Sequence, residues 1–261
     1  MTTTITTEQV KELRDKTSVS VMQCRKALEE ADGDMEKAII LLRKKGSEMA
    51  EKKSDRTAAD GRIFIKSEAG RAVVLTLHCE TDFVAQNQGF IDCAEGILAA
   101  VWDGGVEKGK EAAPALINDA VLKTGENIQL GSIDDYAGDM IGTYTHFNGK
   151  TAALVTMKGG TVEVAKDIAM HITAMKPVYL KSDDIKESDR EAVIDVLKKE
   201  VDESGKPEDI KAKMMEGKIT GYFKEQTLLD QSFFKQPELT IAKLASDNGG
   251  EVVSFKLYTL G

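Results

Sequence analysis

The chain has 261 residues, of which 30% are charged and only 5% are aromatic. Its aliphatic content is ample for a large buried core, which excludes a globally disordered protein. The formal net charge of −9 argues against a nucleic-acid-binding protein, since phosphate binding needs a concentrated basic surface, and no apolar run approaches the roughly 20 residues that span a bilayer.

The first 46 residues predict three short helices that pack as a small bundle. Capping boxes, in which two side chains satisfy free backbone N–H groups, mark the first two helix starts at Thr6–Gln9 and Ser20–Gln23. The third helix is predicted to begin at Asp34 and to end at Gly46, because glycine commonly terminates a helix. Apolar residues recur at helical spacing behind each start.

A β-hairpin followed by a helix is then predicted twice. The first copy comprises strands at Arg62–Ile65 and Ala72–Leu77, a turn at Glu68–Gly70, and a short helix from Phe83 to Phe90. The second copy comprises strands at Ile141–Tyr144 and Ala152–Val155, a turn at Asn148–Gly149, and a helix from about Val162 to Met175. An Asn-Gly turn is a strong hairpin signal. The pattern therefore predicts a duplicated unit in which helices pack on antiparallel sheets.

The pattern changes between residues 182 and 223, where two amphipathic helices predict an antiparallel helical hairpin. Ser188 and Glu191 have the spacing of a capping box for its first helix. Ser204–Pro207 separates the two helices, because glycine and proline interrupt helical structure. A helix near Leu239–Ala245 and a strand at Val252–Tyr258 are predicted to complete the fold.

The sequence thus predicts an α+β protein with an N-terminal helical bundle, a duplicated core and an inserted helical hairpin. The predicted units are a three-helix domain (1–46), a linker or plain helix (47–60), an N-terminal core subdomain (61–140), and a C-terminal core subdomain (141–261) that contains the hairpin insertion (182–223).

The run Cys79–Ala85 carries the strongest functional signal in the sequence. It follows the apolar strand Ala72–Leu77 and places an acid and an aromatic, Asp82 and Phe83, at a strand end near solvent. Thr81 or Asp82 can cap the helix that follows. Two interpretations stay open at this point. Phe83 either folds back into the core, as most lone aromatics do, or protrudes with Asp82 as a wedge that enters an apolar pocket of a partner.

Signals for catalysis and cofactor binding are largely absent. The sequence has neither a G-x-x-x-x-G-K-[ST] phosphate loop nor an H-E-x-x-H zinc motif, so we predict a protein that is not an enzyme and that holds no cofactor or metal. Cys24, Cys79 and Cys93 form no C-x-x-C pair, which predicts a reduced, cytoplasmic protein. His78 and Cys79 would point to opposite faces of a strand. His171 shares a helix face with apolar residues and is predicted to be a core histidine.

Several segments together resemble the bacterial elongation factor Ts family. They occur in the same order over nearly the whole chain and are Leu13–Arg14, Thr17, Met22, Cys24, Lys26–Leu28, Thr81–Ala85, Gly125–Ile128, Ile168–Ile172 and Pro177. The family's layout is a ubiquitin-associated-like three-helix domain, a core of two α+β subdomains and an inserted helical hairpin. The resemblance implies a guanine-nucleotide exchange factor that promotes GDP release from the GTPase elongation factor Tu during protein biosynthesis.

The resemblance also implies which residues contact this GTPase. Asp82 and Phe83 match a pair that enters the GTPase near its Mg²⁺, and Thr81 and Val84 complete the segment that dislodges the ion. The further partner contacts that it implies are Met22, Gly125, Glu126 and His146. No contact with nucleic acid or membrane is expected.

Two other functions are open on the residues alone. A passive binding module or chaperone would use the three-helix domain and the helical hairpin as docking surfaces, and it would leave the rate of GDP release from elongation factor Tu unchanged. An enzyme would use Cys79 or His78. Retained exchange activity after substitution of each residue by alanine, together with inertness to thiol reagents, would argue against an enzyme.

Overall fold

The computed structural model describes residues 4–68 and 70–260. Its first helices are α1 Thr7–Thr17, α2 Val21–Glu30 and α3 Met35–Lys53. Thr6 begins α1 with the predicted capping box. At α2, the Ser20 hydroxyl accepts a hydrogen bond from the Gln23 N–H as predicted, but the Gln23 side chain bonds this hydroxyl and not the backbone. Apolar side chains of all three helices share one core, as expected for a bundle.

The predicted end of the third helix at Gly46 is wrong, because α3 continues to Lys53. Gly46 is buried where α3 packs on α5, the helix Gln88–Thr124. A Cβ atom at Gly46 would lie only 2.7 Å from the backbone oxygen of Asn118. Glycine therefore permits close approach of two helices here and does not terminate one. The first part of the segment predicted as a linker or a plain helix, up to Lys53, is therefore helical.

Two three-stranded antiparallel sheets form the centre of the fold. In spatial order, the first contains β1 Asp60–Glu68, β2 Arg71–Cys79 and β3 Gln129–Ala137. The second contains β4 Met140–Thr145, β5 Thr151–Gly159 and β8 Gly250–Thr259, and a short separate hairpin is made by β6 Ser232–Phe233 and β7 Gln236–Thr240. The predicted β1–β2 and β4–β5 hairpins are confirmed. Ala69, in the first of the two turns, lies outside the described residues.

The two sheets pack face to face, which explains why β2 and β5 are apolar along almost their whole length. Successive side chains of a strand point to opposite faces. On β2, Ala72 and Val74 therefore share a core with Leu154 of the second sheet, whereas Val73 and Leu75 pack in a separate core beneath α5.

Helices cover the outer faces of both sheets. α4 Asp82–Ala85 and α5 lie against the first sheet, and α6 Val162–Met175 and α9 Ile241–Asp247 lie against the second. The bounds of α6 are those that the sequence predicted. The observed architecture confirms the α+β fold class with antiparallel sheets. Among the residues that the structure describes, no helix is long and apolar enough to cross a membrane.

The single helix predicted from Phe83 to Phe90 is wrong, because two helices occupy this stretch. α4 ends at Ala85, and Asn87 begins α5 by accepting a hydrogen bond from the Gly89 N–H at 2.8 Å. α5 then extends over 37 residues with a kink at Gly105, where φ is 83°. Its length and the pairing of β3 with β2 were not predicted from the sequence.

The helical hairpin consists of α7 Glu187–Asp202 and α8 Glu208–Gln226, which pack on each other. The predicted break between them is confirmed, and Gly205 takes a positive φ of 67° in the connection. The predicted cap at Ser188 is wrong: α7 begins at Glu187, so its capping position is Lys186, two residues earlier, and Lys186 makes no side-chain cap bond. Both chain segments that lead into the hairpin meet at a β-bridge between Tyr179 and Thr227.

Candidate functional site

The turn formed by α4 presents Phe83 to solvent. Thr81 caps this turn by accepting a hydrogen bond from the Val84 N–H, and Val84 and Ala85 are buried in the core beneath it. Asp82 is exposed, and 84% of the Phe83 surface is accessible. The interpretation of Phe83 as a core residue is therefore wrong, because its side chain protrudes into solvent. Its entry into a pocket of a partner stays a prediction.

Glu126 holds the start of this turn from the far end of α5. One oxygen of its carboxylate, Oε2, accepts hydrogen bonds from the backbone N–H groups of Glu80 and Thr81, each at 3.0 Å. The other oxygen, Oε1, accepts from the Thr81 hydroxyl at 2.6 Å. A carboxylate that accepts three such bonds fixes the chain strongly, because bonds to an ionised acceptor are shorter and stronger than neutral ones. Its carboxylate is thus engaged within the chain.

A second set of hydrogen bonds surrounds the loop that carries Glu126. Gly125 ends α5 with a positive φ of 76°, and its carbonyl accepts a hydrogen bond from Lys53 Nζ. The Asn127 N–H donates to Glu80 Oε1 at 2.7 Å, and its side-chain amide donates to the Arg56 carbonyl at 2.6 Å. The end of α3 is thereby joined to both the Gly125 loop and the strand end before Thr81.

The hairpin between β4 and β5 forms the neighbouring part of this surface. His146 and Phe147 lie next to each other with ring centroids 4.5 Å apart, and 90% of the Phe147 surface is accessible. The turn is fixed by a hydrogen bond from the Gly149 N–H to the His146 carbonyl at 2.8 Å. A second bond, from the Ile63 N–H to the Gly149 carbonyl at 2.8 Å, attaches the hairpin to β1.

The α4 turn and the β4–β5 hairpin line the same groove, which has a volume of about 380 Å³. It is lined by residues of α4, β1 and the β4–β5 hairpin, namely Asp60, Gly61, Arg62, Asp82, Ala85, Gln86, Phe147, Asn148 and Lys150. Lys150 and Asp60 form an ion pair at 2.7 Å, and their hydrogen bond raises the pKa of Lys150. Burial alone would raise the pKa of Asp60, but hydrogen bonds from Lys150 and from the Gly61 N–H lower it more, so both groups stay charged.

Of the residues predicted to contact the partner, Asp82 lines this groove, and Phe83 and His146 are the chain neighbours of its lining residues Asp82 and Phe147. Met22 lies on α2 with 70% of its surface exposed, and it does not line the groove. Val84 is buried, so its side chain anchors the turn from beneath and is not available at the surface. Phe147 was not predicted to have a role, although an aromatic residue beside an Asn-Gly turn is a signal that could have indicated one.

Residues with potential chemistry elsewhere are engaged in the core. His171 is buried, with Nε2 at 2.9 Å from the Gln231 side-chain oxygen and Nδ1 accepting from the Phe234 N–H, as predicted for a core histidine. Burial raises the pKa of Cys79 to about 12. Within residues 4–68 and 70–260, no three His, Cys, Asp or Glu side chains are arranged to hold a metal ion.

Comparison with known protein families shows to which family the chain belongs. A family model described as elongation factor TS matches residues 80–261, more than half of the chain, and these residues include the whole exposed α4 turn and the β4–β5 hairpin. The chain belongs to the elongation factor Ts family. Members of this family are translation elongation factors that promote nucleotide exchange on elongation factor Tu and are not themselves catalytic enzymes, so elongation factor Tu is the partner that membership implies.

Proposed function

We propose that the α4 turn of this elongation factor Ts family member is the element that opens the nucleotide site of elongation factor Tu. Phe83 enters the GTPase as a wedge between two of its helices, and Asp82 acts on the polar surroundings of the partner's Mg²⁺. The observation that carries the proposal is the 84% exposure of Phe83 on a turn that is capped and hydrogen-bonded from beneath. A large apolar side chain held in solvent in this way is typical of an interface anchor.

The proposed mechanism depends on the geometry that Mg²⁺ requires. Mg²⁺ needs near-ideal octahedral coordination and bridges the nucleotide phosphates to the GTPase. A wedge that displaces the helices carrying its ligands weakens the bridge without competing for the nucleotide. No covalent bond is made or broken in this step. The chain therefore needs no nucleophile and no cofactor of its own.

The exchange cycle follows from reciprocity between the two ligands of the GTPase. A factor that lowers the affinity of elongation factor Tu for nucleotide is itself bound less tightly in the presence of nucleotide, by the same factor. A newly bound nucleotide therefore releases the chain. This coupling lets a small amount of the factor act on many GTPase molecules.

The other assigned contacts surround this wedge in the proposed complex. Thr81 and Val84 shape the wedge segment, and His146 presents the hairpin beside it. We assign further contacts to Gly125 in the neighbouring loop and to Met22 on the N-terminal bundle. The contact that the resemblance implies for Glu126 stays a prediction, because its carboxylate already accepts hydrogen bonds from Glu80 and Thr81. The exposure of Phe147, next to His146 on the rim of the groove, supports a contact surface at this hairpin.

We also infer that the chain divides as the sequence predicts, into a ubiquitin-associated-like domain (1–46), a linker (47–60), two related core subdomains (61–140 and 141–261) and the hairpin insertion (182–223). The presence of one three-stranded sheet in each core segment supports the duplication. Two of the predicted bounds fall inside helices, because α3 continues to Lys53 within the predicted linker and α8 continues past residue 223 to Gln226.

The decisive experiment measures the release of a fluorescent GDP from elongation factor Tu with and without the chain. We expect the parent chain to accelerate release and Phe83→Ala to lose most of this effect. Val253→Ala is a suitable control, because Val253 is also an exposed apolar residue. It lies near the start of β8, which pairs with the end of β5 that is distant from the turn between β4 and β5. Asp82→Ala should cause a smaller loss, since the wedge remains. An unchanged GDP off-rate with the parent chain would instead indicate a passive binding module.

A further inference from the structure

We infer that Glu126 is a positioning residue that acts on nucleotide exchange through Thr81, by fixing the direction in which Phe83 points. The inference rests on the proposed function of Phe83 and deepens it. It assigns to Glu126 a role inside the chain in place of a direct contact with the GTPase. The Glu126 clamp is defined here as the three hydrogen bonds from Glu80 N–H, Thr81 N–H and the Thr81 hydroxyl to the Glu126 carboxylate.

The α4 turn needs such a clamp because it is too short to hold itself. It spans only the four residues Asp82–Ala85. A single helical turn is unstable in isolation, since its nucleation fixes several backbone angles for one hydrogen bond. Its direction is therefore set by what holds its two ends. At the end that leads into the core, Val84 and Ala85 are buried. At the other end, the Glu126 clamp holds Glu80 and Thr81.

The clamp acts on the residue that also caps the turn. The Thr81 hydroxyl donates to Glu126 Oε1 at 2.6 Å, while its oxygen accepts from the Val84 N–H at 3.4 Å. One hydroxyl thus connects the carboxylate to the first turn of α4. Without the carboxylate, the backbone at Glu80 and Thr81 and the side-chain rotamer of Thr81 would no longer be fixed. Phe83 lies only two residues after Thr81, so the direction of its side chain would no longer be fixed either.

A second layer of bonds extends the clamp to the N-terminal bundle. Arg56 lies in the turn that follows α3, and its Nη1 atom is 3.5 Å from Glu80 Oε1. The Arg56 backbone carbonyl accepts a hydrogen bond from the Asn127 side-chain amide at 2.6 Å. Asn127 is buried, and its N–H donates to the same Glu80 carboxylate oxygen. The Glu80 N–H therefore donates to the Glu126 carboxylate, while the Glu80 carboxylate accepts from the N–H of the residue after Glu126. The end of α3 is part of the same hydrogen-bonded unit as the wedge.

The test compares alanine with the conservative variant at the clamp. Glu126→Ala removes all three acceptor bonds. Glu126→Gln keeps an oxygen that can accept both backbone N–H bonds, and it should recover most of the activity that alanine loses. The quantity to measure is the GDP release rate at saturating factor, separately from the half-saturating concentration. We expect Glu126→Ala to lower the GDP release rate at saturation by about tenfold, which corresponds to the free energy of one hydrogen bond to a charged group. The half-saturating concentration should change less.

A readout in the free chain isolates positioning from partner contact. Amide hydrogen exchange at Glu80 and Thr81 should accelerate in Glu126→Ala without a matching fall in melting temperature. Thr81→Val removes the hydroxyl bond of the clamp together with the cap of α4, so it should also lower the saturating rate. The double variant Glu126→Ala/Thr81→Val should lose less than the sum of the two single losses, because the bond between Thr81 and Glu126 Oε1 is absent from both single variants. If Glu126→Ala does not fold, Thr81→Val with Thr81→Ser as its matched control measures the same bond.

The outcomes separate this inference from the proposed function. If Phe83→Ala abolishes exchange while Glu126→Ala retains the parent saturating rate, the clamp is overturned and the wedge stands. Fully additive losses in the double variant, or unchanged amide exchange at Glu80 and Thr81, would also overturn it, since they indicate that Glu126 contacts the GTPase directly. If Phe83→Ala retains the parent rate, the proposed function itself fails.

Discussion

Phe83 and Phe90 lie seven positions apart in consecutive helices, yet 84% of the Phe83 surface is exposed and Phe90 is fully buried. The break at Asn87 causes this difference, because it separates α4 from α5 and lets the two helices present their side chains independently. Phe90 packs in the core against Phe64, with ring centroids 6.0 Å apart. The two phenylalanines form a matched pair for separating stability from function.

Truncation of each phenylalanine to alanine should have very different effects on the free energy of unfolding. Phe90→Ala should destabilise the chain by about 3–5 kcal/mol, the usual cost of removing a buried aromatic ring. Phe83→Ala should change the free energy of unfolding by less than about 0.5 kcal/mol, as exposed substitutions do. Denaturant unfolding followed by circular dichroism measures both values. A Phe83→Ala chain as unstable as Phe90→Ala would show that Phe83 is part of the core in solution.

The elements that the sequence predicted well are those governed by short-range patterns. The two hairpins depend on apolar strands beside turn residues, and the bounds of α6 follow from Thr161, which caps it, and from its apolar spacing. The end of α3 was mispredicted because Gly46 has the local signature of a helix stop. Its actual role depends on Asn118, which is distant in sequence and close only after folding.

The candidate site shows the same limit. The exposed pair Asp82–Phe83 could be identified from its position after a buried strand, although two interpretations of Phe83 stayed open. The hydrogen bonds of Glu126 could not, since they join residues 45 and 46 positions apart. Such pairings depend on where α5 ends relative to β2, and α5 itself was not predicted. Resemblance to a family could place Glu126 near the site but could not distinguish a partner contact from an internal one.

Gly46→Ala should lower the melting temperature although alanine is the better helix former. Helix propensity alone would favour alanine by about 1 kcal/mol. The new Cβ atom, however, would lie 2.7 Å from the Asn118 backbone oxygen, and overpacking of this kind costs about 1–3 kcal/mol. We therefore expect a net loss of stability in thermal unfolding, together with weaker docking of the N-terminal bundle on α5.

Gly217→Ala is the matched control for this experiment. Gly217 lies within α8, is exposed, and has no neighbouring atom within 4 Å of the position that a Cβ atom would take. The same substitution should therefore stabilise the chain slightly or leave it unchanged, because only helix propensity acts. Equal effects of the two substitutions on the melting temperature would contradict the close packing of α3 on α5.

His171 should make the stability of the chain depend on pH in a mildly acidic range. Burial lowers the pKa of His171 below its ordinary value, against a smaller raising effect of its hydrogen bond to Gln231. The unfolded chain therefore binds a proton at a higher pH than the folded chain, from about pH 6.5 downward. The stability contributed by neutral His171 is present above that pH and is lost as the pH falls toward the folded pKa.

The measurement is denaturant unfolding between about pH 5 and pH 7.5 for the parent chain and for His171→Gln, because the reference pKa of histidine lies in this range. The variant is expected to be less stable at neutral pH but to lack the additional decline on acidification. The difference between the two curves isolates His171, since His78 and His146 are present in both chains. Parallel curves would mean that His171 is not held neutral in the core.

The cysteines should be unreactive in the folded chain. All three are buried, and burial raises the pKa of Cys79 and of Cys93 to about 12. Because the thiolate is the reactive form, a thiol reagent should label the native chain slowly and should label three groups after unfolding. Cys79→Ala should also retain GDP release. Rapid labelling of one native thiol, with loss of exchange in Cys79→Ala, would favour an enzyme that uses Cys79.

Removal of residues 182–223 with a short glycine linker should leave the rest of the chain folded. The flanking segments already meet at the Tyr179–Thr227 bridge, where the Leu228 N–H donates to the Tyr179 carbonyl at 2.8 Å, so a short linker can join them. α7 and α8 bury apolar side chains mainly on each other, and the buried Phe223 at the base is removed together with Arg190, the cation that lies over its ring. A small decrease in melting temperature with one cooperative transition is therefore expected. Exchange should weaken only modestly, because Phe83 and the Glu126 clamp lie outside the removed segment. Loss of the cooperative transition would show that the hairpin is an integral part of the second sheet's core and not an insertion into it.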